Sequence, residues 1–216
     1  MHIAEGFLPV RDAAAWTLVA APFVAHGARR LARIATQSPA AGLTLGAAGG
    51  FTLLLSSLKL PSLAGSSSHP TGVALGAVIC GPSTMAAIGC PVLLVQALLL
   101  AHGGLTTLGA NTVSMAVVGP WVSWAVWRTL GRLGVGDASL FVATALGALA
   151  TYMTTALQLA LAFPDASSGI SGAFLKFAGV FLLPQLPLAV AEGWFTVAAY
   201  HVLRGRQLDS LVTGHA

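Results

Sequence analysis

Charge is what this sequence has least of: Asp, Glu, Lys and Arg make up 7% of its 216 residues, while 56% are hydrophobic. A soluble domain carries roughly a quarter charged residues, and a chain with so few cannot cover a water-exposed surface. Most of its solvent is therefore lipid. No hydrophilic block is long enough to form a soluble domain, so residues 1–216 read as one membrane-embedded domain. Cysteine is nearly absent too. Cys80 and Cys90 flank a Gly-Pro turn in apolar sequence with no CxxC spacing, which leaves thiolate metal chemistry unindicated. A phosphate-binding G-x-x-x-x-G-K-[ST] motif is missing, so the chain is not itself an ATPase. Nor does the opening MHIAEGFLPVR place a basic segment ahead of an apolar core and a small-residue cleavage site. Met1 is accordingly expected to be the mature first residue.

What is present is a series of apolar stretches, at roughly 12–33, 40–58, 71–80, 83–102, 106–130, 138–163 and 172–203. At about 20 residues per span, this is an all-α integral membrane protein with about seven transmembrane helices. The third stretch is too short to cross alone, and Gly81-Pro82 follows it, which suggests a tilted, short or re-entrant helix. The last is long and contains Pro184 and Pro187, which are expected to kink it because each removes a backbone donor.

The basic residues fix an orientation. Arg29, Arg30 and Arg33 follow the first stretch, Arg128 and Arg132 end the fifth, and Arg204 and Arg206 end the last. With the N-terminus outside and seven crossings, all of these are cytoplasmic, as is the C-terminus; Arg11, Lys59 and Lys176 fall outside. The net charge of +4 thus sets topology, and no nucleic-acid partner is implied. Ala13, Thr17, Ala21 and Ala25 recur every four positions on the first helix. Such a small-residue face lets another helix approach closely, either within this chain or from a partner membrane protein.

Under this topology the N-terminus, the 59–70 loop, the 103–106 turn and the 164–171 loop share the outer face. His2 is the most informative residue there. A free Met1 amine, the amide nitrogen of residue 2 and the His2 imidazole close two small chelate rings around one ion. Nitrogen-rich planar coordination of this kind suits nickel, copper or low-spin cobalt. The residues that follow, Ile3, Phe7 and Leu8 mixed with Glu5 and Gly6, are not a polar tail, as if residues 1–11 were tucked into the protein as a metal-binding segment. His69 ends a Gly/Ser loop where Pro70, well suited to a first helical position, returns the chain to the membrane. It supplies a fourth nitrogen, or else it is a solvated residue beside a serine-capped helix start. His102, followed by Gly103, Gly104, Thr106, Thr107 and Asn111, reads as an interfacial cap or as a gating or supporting residue. Glu192 needs a polar contact between helices, and His26, His201 and His215 read as structural or solvated.

At these residues a resemblance emerges. The opening MHIAEGFLP, the segment SLKLPSLAGSSSHPTG and the run QALLLAHGGLTTLGANTVSMAVVGP resemble the CbiM family, and the likeness continues through Thr151-Tyr152, Leu157-Gln158-Leu159 and Ala191-Glu192-Gly193. Members of this family are the substrate-capturing membrane subunits of energy-coupling-factor cobalt transporters. The resemblance implies that the Met1 amine, the His2 amide and imidazole, and His69 in the 59–70 loop hold Co(II), with Ni(II) the alternative cargo, and that no resident cofactor is needed. It also implies a coupling membrane subunit, cytoplasmic ATPase subunits and a small accessory membrane protein as partners. The setting implied is a bacterial inner membrane, with cobalt supplied to cobalamin synthesis. Ser67 stands where many relatives carry Cys.

Two other classes compete with this reading. An intramembrane serine hydrolase would use Ser67 or Ser68 as nucleophile and His102 as base. That reading leaves Met1-His2 unexplained and offers no acid to orient His102. A haem or quinone anchor would need paired histidines, and His26, His102 and His201 fall at mismatched depths.

Overall fold

The computed structural model describes residues 2–37, 39–62 and 66–204. Met1, Arg206 and His215 lie outside the described residues. The chain is helical nearly throughout: α1 (Val10–Ala35), α2 (Pro39–Ser56), α3 (Val73–Cys80), α4 (Pro82–Leu99), α5 (Leu108–Asn111), a π-helical stretch (Thr112–Val118), α6 (Gly119–Arg132), α7 (Asp137–Ala162) and α8 (Gly169–Arg204). Two strands, β1 (Leu60–Pro61) and β2 (Ser67–Ser68), pair antiparallel with Leu60 opposite Ser68. Among the described residues, three helices are long and apolar enough to cross a membrane, namely α4, α7 and α8.

The apolar stretches read from sequence coincide with helices to within a few residues. The third is helical only over Val73–Cys80, about 12 Å at 1.5 Å per residue. Pro70 and Thr71 precede that helix rather than starting it, a departure from the expected Pro70 start. The reason is that Gly72 (φ 69°) turns through the left-handed region and packs against the Thr52 backbone. A side chain there would both strain the backbone and meet Thr52. Pro184 and Pro187 lie inside α8, which continues through both.

Helix α1 buries Ala13, Ala20, Gly27 and Ile34, a stripe repeating every seven residues. This is not the face anticipated from the four-residue spacing. Ala13 is buried and Thr17 lies against Gly109, whereas Ala21 and Ala25 are exposed. A 3.6-residue helix drifts along a four-residue repeat, so one end of that row turns inward and the other outward.

Two clusters form the core. One gathers Ile34, Leu45, Leu75, Met85 and Met115. The other gathers Ile3, Leu8, Ala110, Tyr152, Leu159 and Phe181. The second includes the N-terminal segment, so the tucked terminus expected from Ile3, Phe7 and Leu8 is present for Ile3 and Leu8, each 4% exposed, whereas Phe7 stays 54% exposed. The segments expected to share one face do lie at one end of the bundle. Lys59 Nζ donates to the Leu100 carbonyl (2.6 Å), Glu5 reaches Thr106, and the Phe7 and Phe163 rings lie 5.5 Å apart. At the other end Arg30 sits beside the Gly81 turn, and His201 pairs with Asp137 at 2.9 Å.

Candidate metal centre

Three imidazoles from three separate segments meet at the end of the bundle that carries the N-terminus. The rings of His2 and His102 are 4.5 Å apart, those of His2 and His69 4.7 Å, and those of His69 and His102 4.8 Å. One potential ligand nitrogen from each falls within 4.8 Å of the other two. His69 is 2% and His102 6% exposed. Burial is the main reason that all three are held well below the ordinary histidine range, His102 down to about 3. The rings are therefore neutral near pH 7, with lone pairs available to a metal.

Hydrogen bonds dictate which nitrogens are free. The Ser56 hydroxyl donates to the Thr52 carbonyl (2.5 Å), so its oxygen accepts from the Gln96 amide nitrogen (2.6 Å). This turns the Gln96 carbonyl toward His2, whose Nε2 is 2.9 Å away and must donate. His2 Nδ1 is then the nitrogen with a lone pair, the one that closes a small ring with the residue's own amide. His69 Nδ1 lies 2.8 Å from the Pro70 carbonyl, which can only accept. That leaves His69 Nε2 as the lone-pair nitrogen, and it is buried with no hydrogen-bond partner among the described residues, as is His102 Nε2. Buried polar atoms are rarely left unpaired, and two ring nitrogens in one cluster fit a site meant for a cation.

The backbone around the cluster is fixed from several directions. Ile3 N–H donates to Asn111 Oδ1 (2.8 Å), and the Ile3 carbonyl accepts from Asn111 Nδ2 (3.1 Å) and Thr107 Oγ1 (2.7 Å). The Glu5 carboxylate accepts from Leu105 N–H and from the Thr106 backbone and hydroxyl. Those bonds, the Thr106 hydroxyl foremost, lower its pKa. Gly103 (φ 82°) and Gly104 permit this docking: a β-carbon on Gly104 would collide with the Glu5 backbone, and one on Gly103 would crowd His2. The run from His102 to Asn111 is thus a cradle for the N-terminal segment.

His69 is held differently. Its N–H donates to Tyr152 Oη (2.9 Å), and the Tyr152 hydroxyl donates back to the His69 carbonyl (2.8 Å). Glu192 accepts from Thr71 N–H (2.8 Å), Thr71 Oγ1 (2.6 Å) and Gly72 N–H (2.7 Å). The anticipated serine cap is replaced by a carboxylate from α8 at the N-terminus of α3, where an anion is favoured. The solvated alternative for His69 fails for the same reason, since these bonds draw the residue inward. Glu192→Gln keeps the shape but turns an amide N–H₂ toward buried donors. Stability in detergent is expected to fall by about 2–3 kcal/mol, the cost of buried charged hydrogen bonds left unmade. An unchanged Tm would show that this contact contributes nothing.

His102 is not an interfacial cap; its ring faces His2 and His69. Gln96 and Tyr152 carried no signal of their own beyond being polar groups in apolar helices. His26 is exposed and His201 pairs with Asp137 at the far end, so among the described residues His26, His102 and His201 offer no pair arranged for haem. Among the described residues His102 Nε2 accepts no hydrogen bond, so it is not seated as the base that a Ser67 or Ser68 nucleophile would need.

Residues 2–210 match the family described as the cobalt uptake substrate-specific transmembrane region, CbiM. A cobalt transport protein CbiM of Streptomyces coelicolor is 55% identical over 207 residues, covering 94% of this chain and 88% of that one. One of Moorella thermoacetica is 53% identical over 204 residues, covering 94% and 79%. A crystal structure of a truncated transition metal transporter superposes with a TM-score of 0.82 over 95% of this chain and 99% of that one, at 23% identity, and so shares the fold.

Proposed function

This chain belongs to the CbiM family, and from that premise we propose that it captures Co(II) at the outer face of a bacterial inner membrane for ATP-driven import. The observation that carries this reading is the convergence of three neutral imidazoles, those of His69 and His102 buried with a ring nitrogen that has no partner among the described residues, on the part-buried N-terminal His2. The Met1 amine, the His2 amide nitrogen, His2 Nδ1 and His69 Nε2 form the chelate. The chain supplies no ATPase, so a coupling membrane subunit, cytoplasmic ATPase subunits and a small accessory membrane protein complete the transporter, with cobalamin synthesis the consumer of the metal. Isothermal titration of the purified chain with cobalt tests the reading: a saturable site lost in His2→Ala supports it, and equal binding by that variant rejects it.

Seven crossings, N-terminus outside, follow if α3, short as it is, counts as a crossing separate from α4. The Gly81 turn beside Arg30 then lies on the cytoplasmic side, with Lys59 on the other. Cysteine labelling with a membrane-impermeant reagent at Lys59→Cys and Arg132→Cys should modify only the first in intact cells.

The exposed Ala21 and Ala25 on α1 offer close approach to a partner subunit. Ala21→Leu is expected to reduce co-purification of the partner subunits while leaving cobalt binding by the isolated chain unchanged. Full assembly and uptake in that variant would assign this face to lipid.

A further inference from the structure

We infer that His102 gives the ion a further imidazole nitrogen, outside the plane of the chelate, and that this nitrogen is what favours Co(II) over Ni(II). The inference rests on the chelate proposed above. Affinity for nitrogen sites rises from cobalt to nickel, and a planar four-nitrogen site is the geometry that suits nickel best. Left to the Met1 amine, the His2 amide, His2 Nδ1 and His69 Nε2, the site would discriminate against cobalt.

His102 is placed to reverse that order. Its ring lies 4.5 Å from that of His2 and 4.8 Å from that of His69, and its Nε2 is buried with no hydrogen-bond partner among the described residues. The backbone that aims it is costly in its own right: Ala101 adopts φ 46°, a conformation that residues with a β-carbon seldom take. Strain of this kind persists only where the surrounding structure enforces it. Here Gly103 follows at φ 82°, the His102 N–H donates to the Gln96 carbonyl (3.1 Å), and Leu100 is tied to Lys59. The two ends of this short turn are thus pinned to α4 and to the segment after α2.

The electronic argument is specific. Planar nickel(II) has eight d electrons and an empty orbital in the ligand plane, so it gains little from an axial donor. Low-spin cobalt(II) has seven, with the unpaired electron in the orbital perpendicular to the plane, which an axial nitrogen engages. In the chelate proposed above the first two residues take three planar positions and His69 the fourth, which leaves a further imidazole only a position out of that plane. Metal–nitrogen bonds of about 2 Å would draw the three ring nitrogens inward from their present spacing of up to 4.8 Å.

The test uses the full chain with its native terminus, titrated separately with Co(II) and Ni(II), as wild type, His102→Ala and His102→Gln. His102→Gln fills the same space with a poor metal ligand, so it guards against a fold defect in the alanine variant. Both are expected to lose about tenfold or more in cobalt affinity while nickel affinity stays within about threefold. Electron paramagnetic resonance of the wild-type cobalt complex should show axial nitrogen hyperfine splitting. The splitting should vanish in His102→Ala and return with added imidazole. Unchanged cobalt preference, a wild-type spectrum without axial nitrogen, or equal loss of both metals in both variants would overturn the role of His102. His69→Ala should lose both metals. If His69→Ala and His2→Ala both bind like wild type, the chelate itself is wrong and the inference falls with it, whatever His102→Ala does.

Discussion

An N-terminal extension of even one residue, left uncleaved, is expected to reduce cobalt uptake to that of cells lacking the protein, although the helices still insert. The added residue converts the Met1 amine into an amide and shifts the chelate rings away from His2 Nδ1. The rest of the segment cannot follow the shift. Ile3 is locked to Asn111 and Thr107, and Glu5 to Thr106, so the terminus has no slack to offer a different donor. A tag beyond Ala216 should leave uptake intact. The comparison needs the two tagged proteins matched for expression and a radiolabelled cobalt assay; wild-type transport by the extended protein would remove Met1 from the site. The same chemistry gives a pH dependence. An unperturbed α-amine titrates near 8, and its proton must leave before metal binds, so affinity should weaken as pH falls below about 8. His2 and His69 are held well below their usual range by burial. They stay deprotonated through this interval, and the decline between about pH 8 and 6 belongs to the amine and the His2 amide.

His69→Ala is expected to lower cobalt affinity at least 100-fold, beyond the ~10–100-fold that removing a group behind a metal ligand costs. The fold should survive. The two bonds to Tyr152 are made by the His69 backbone, and Glu192 still holds Thr71 and Gly72. Only the side-chain bond to Pro70 disappears. Cobalt titration with size-exclusion chromatography separates the two effects. Wild-type affinity in a well-folded variant would exclude His69 as a ligand, and an aggregated variant would show the ring to be a packing element.

Much of this architecture was legible in the sequence because lipid allows few alternatives. Apolar stretches of the required length had to be helices, and each lies within a few residues of one. The exception is instructive. The third stretch is as apolar as the others, yet its first two residues, Thr71 and Gly72, stay outside the helix, because Glu192 supplies from a distant helix the hydrogen bonds that a local cap would provide. A contact across 121 residues leaves no local pattern. His2 and His69 stood out because unusual residues occupy unusual places, a chain terminus and a re-entry point. His102 read as a helix end by the same local logic, and only the return of the N-terminus to the 103–111 run turns it into a neighbour of the other two. Gln96 and Ser56 matter through a tautomer they impose on His2, which no spacing rule encodes. The small-residue face on α1 was half right: a four-residue repeat names residues near one another, and the heptad stripe that buries Gly27 decides which of them face the core.

The central claim is that the chain itself holds the transported ion through its terminus and His69. Elemental analysis of the chain, purified from cells grown with cobalt, nickel, copper and zinc together, tests this most directly when wild type and His69→Ala are run side by side. Wild type should carry close to one cobalt per chain and His69→Ala almost none. Wild type without metal, or both proteins with the same metal content, would contradict it.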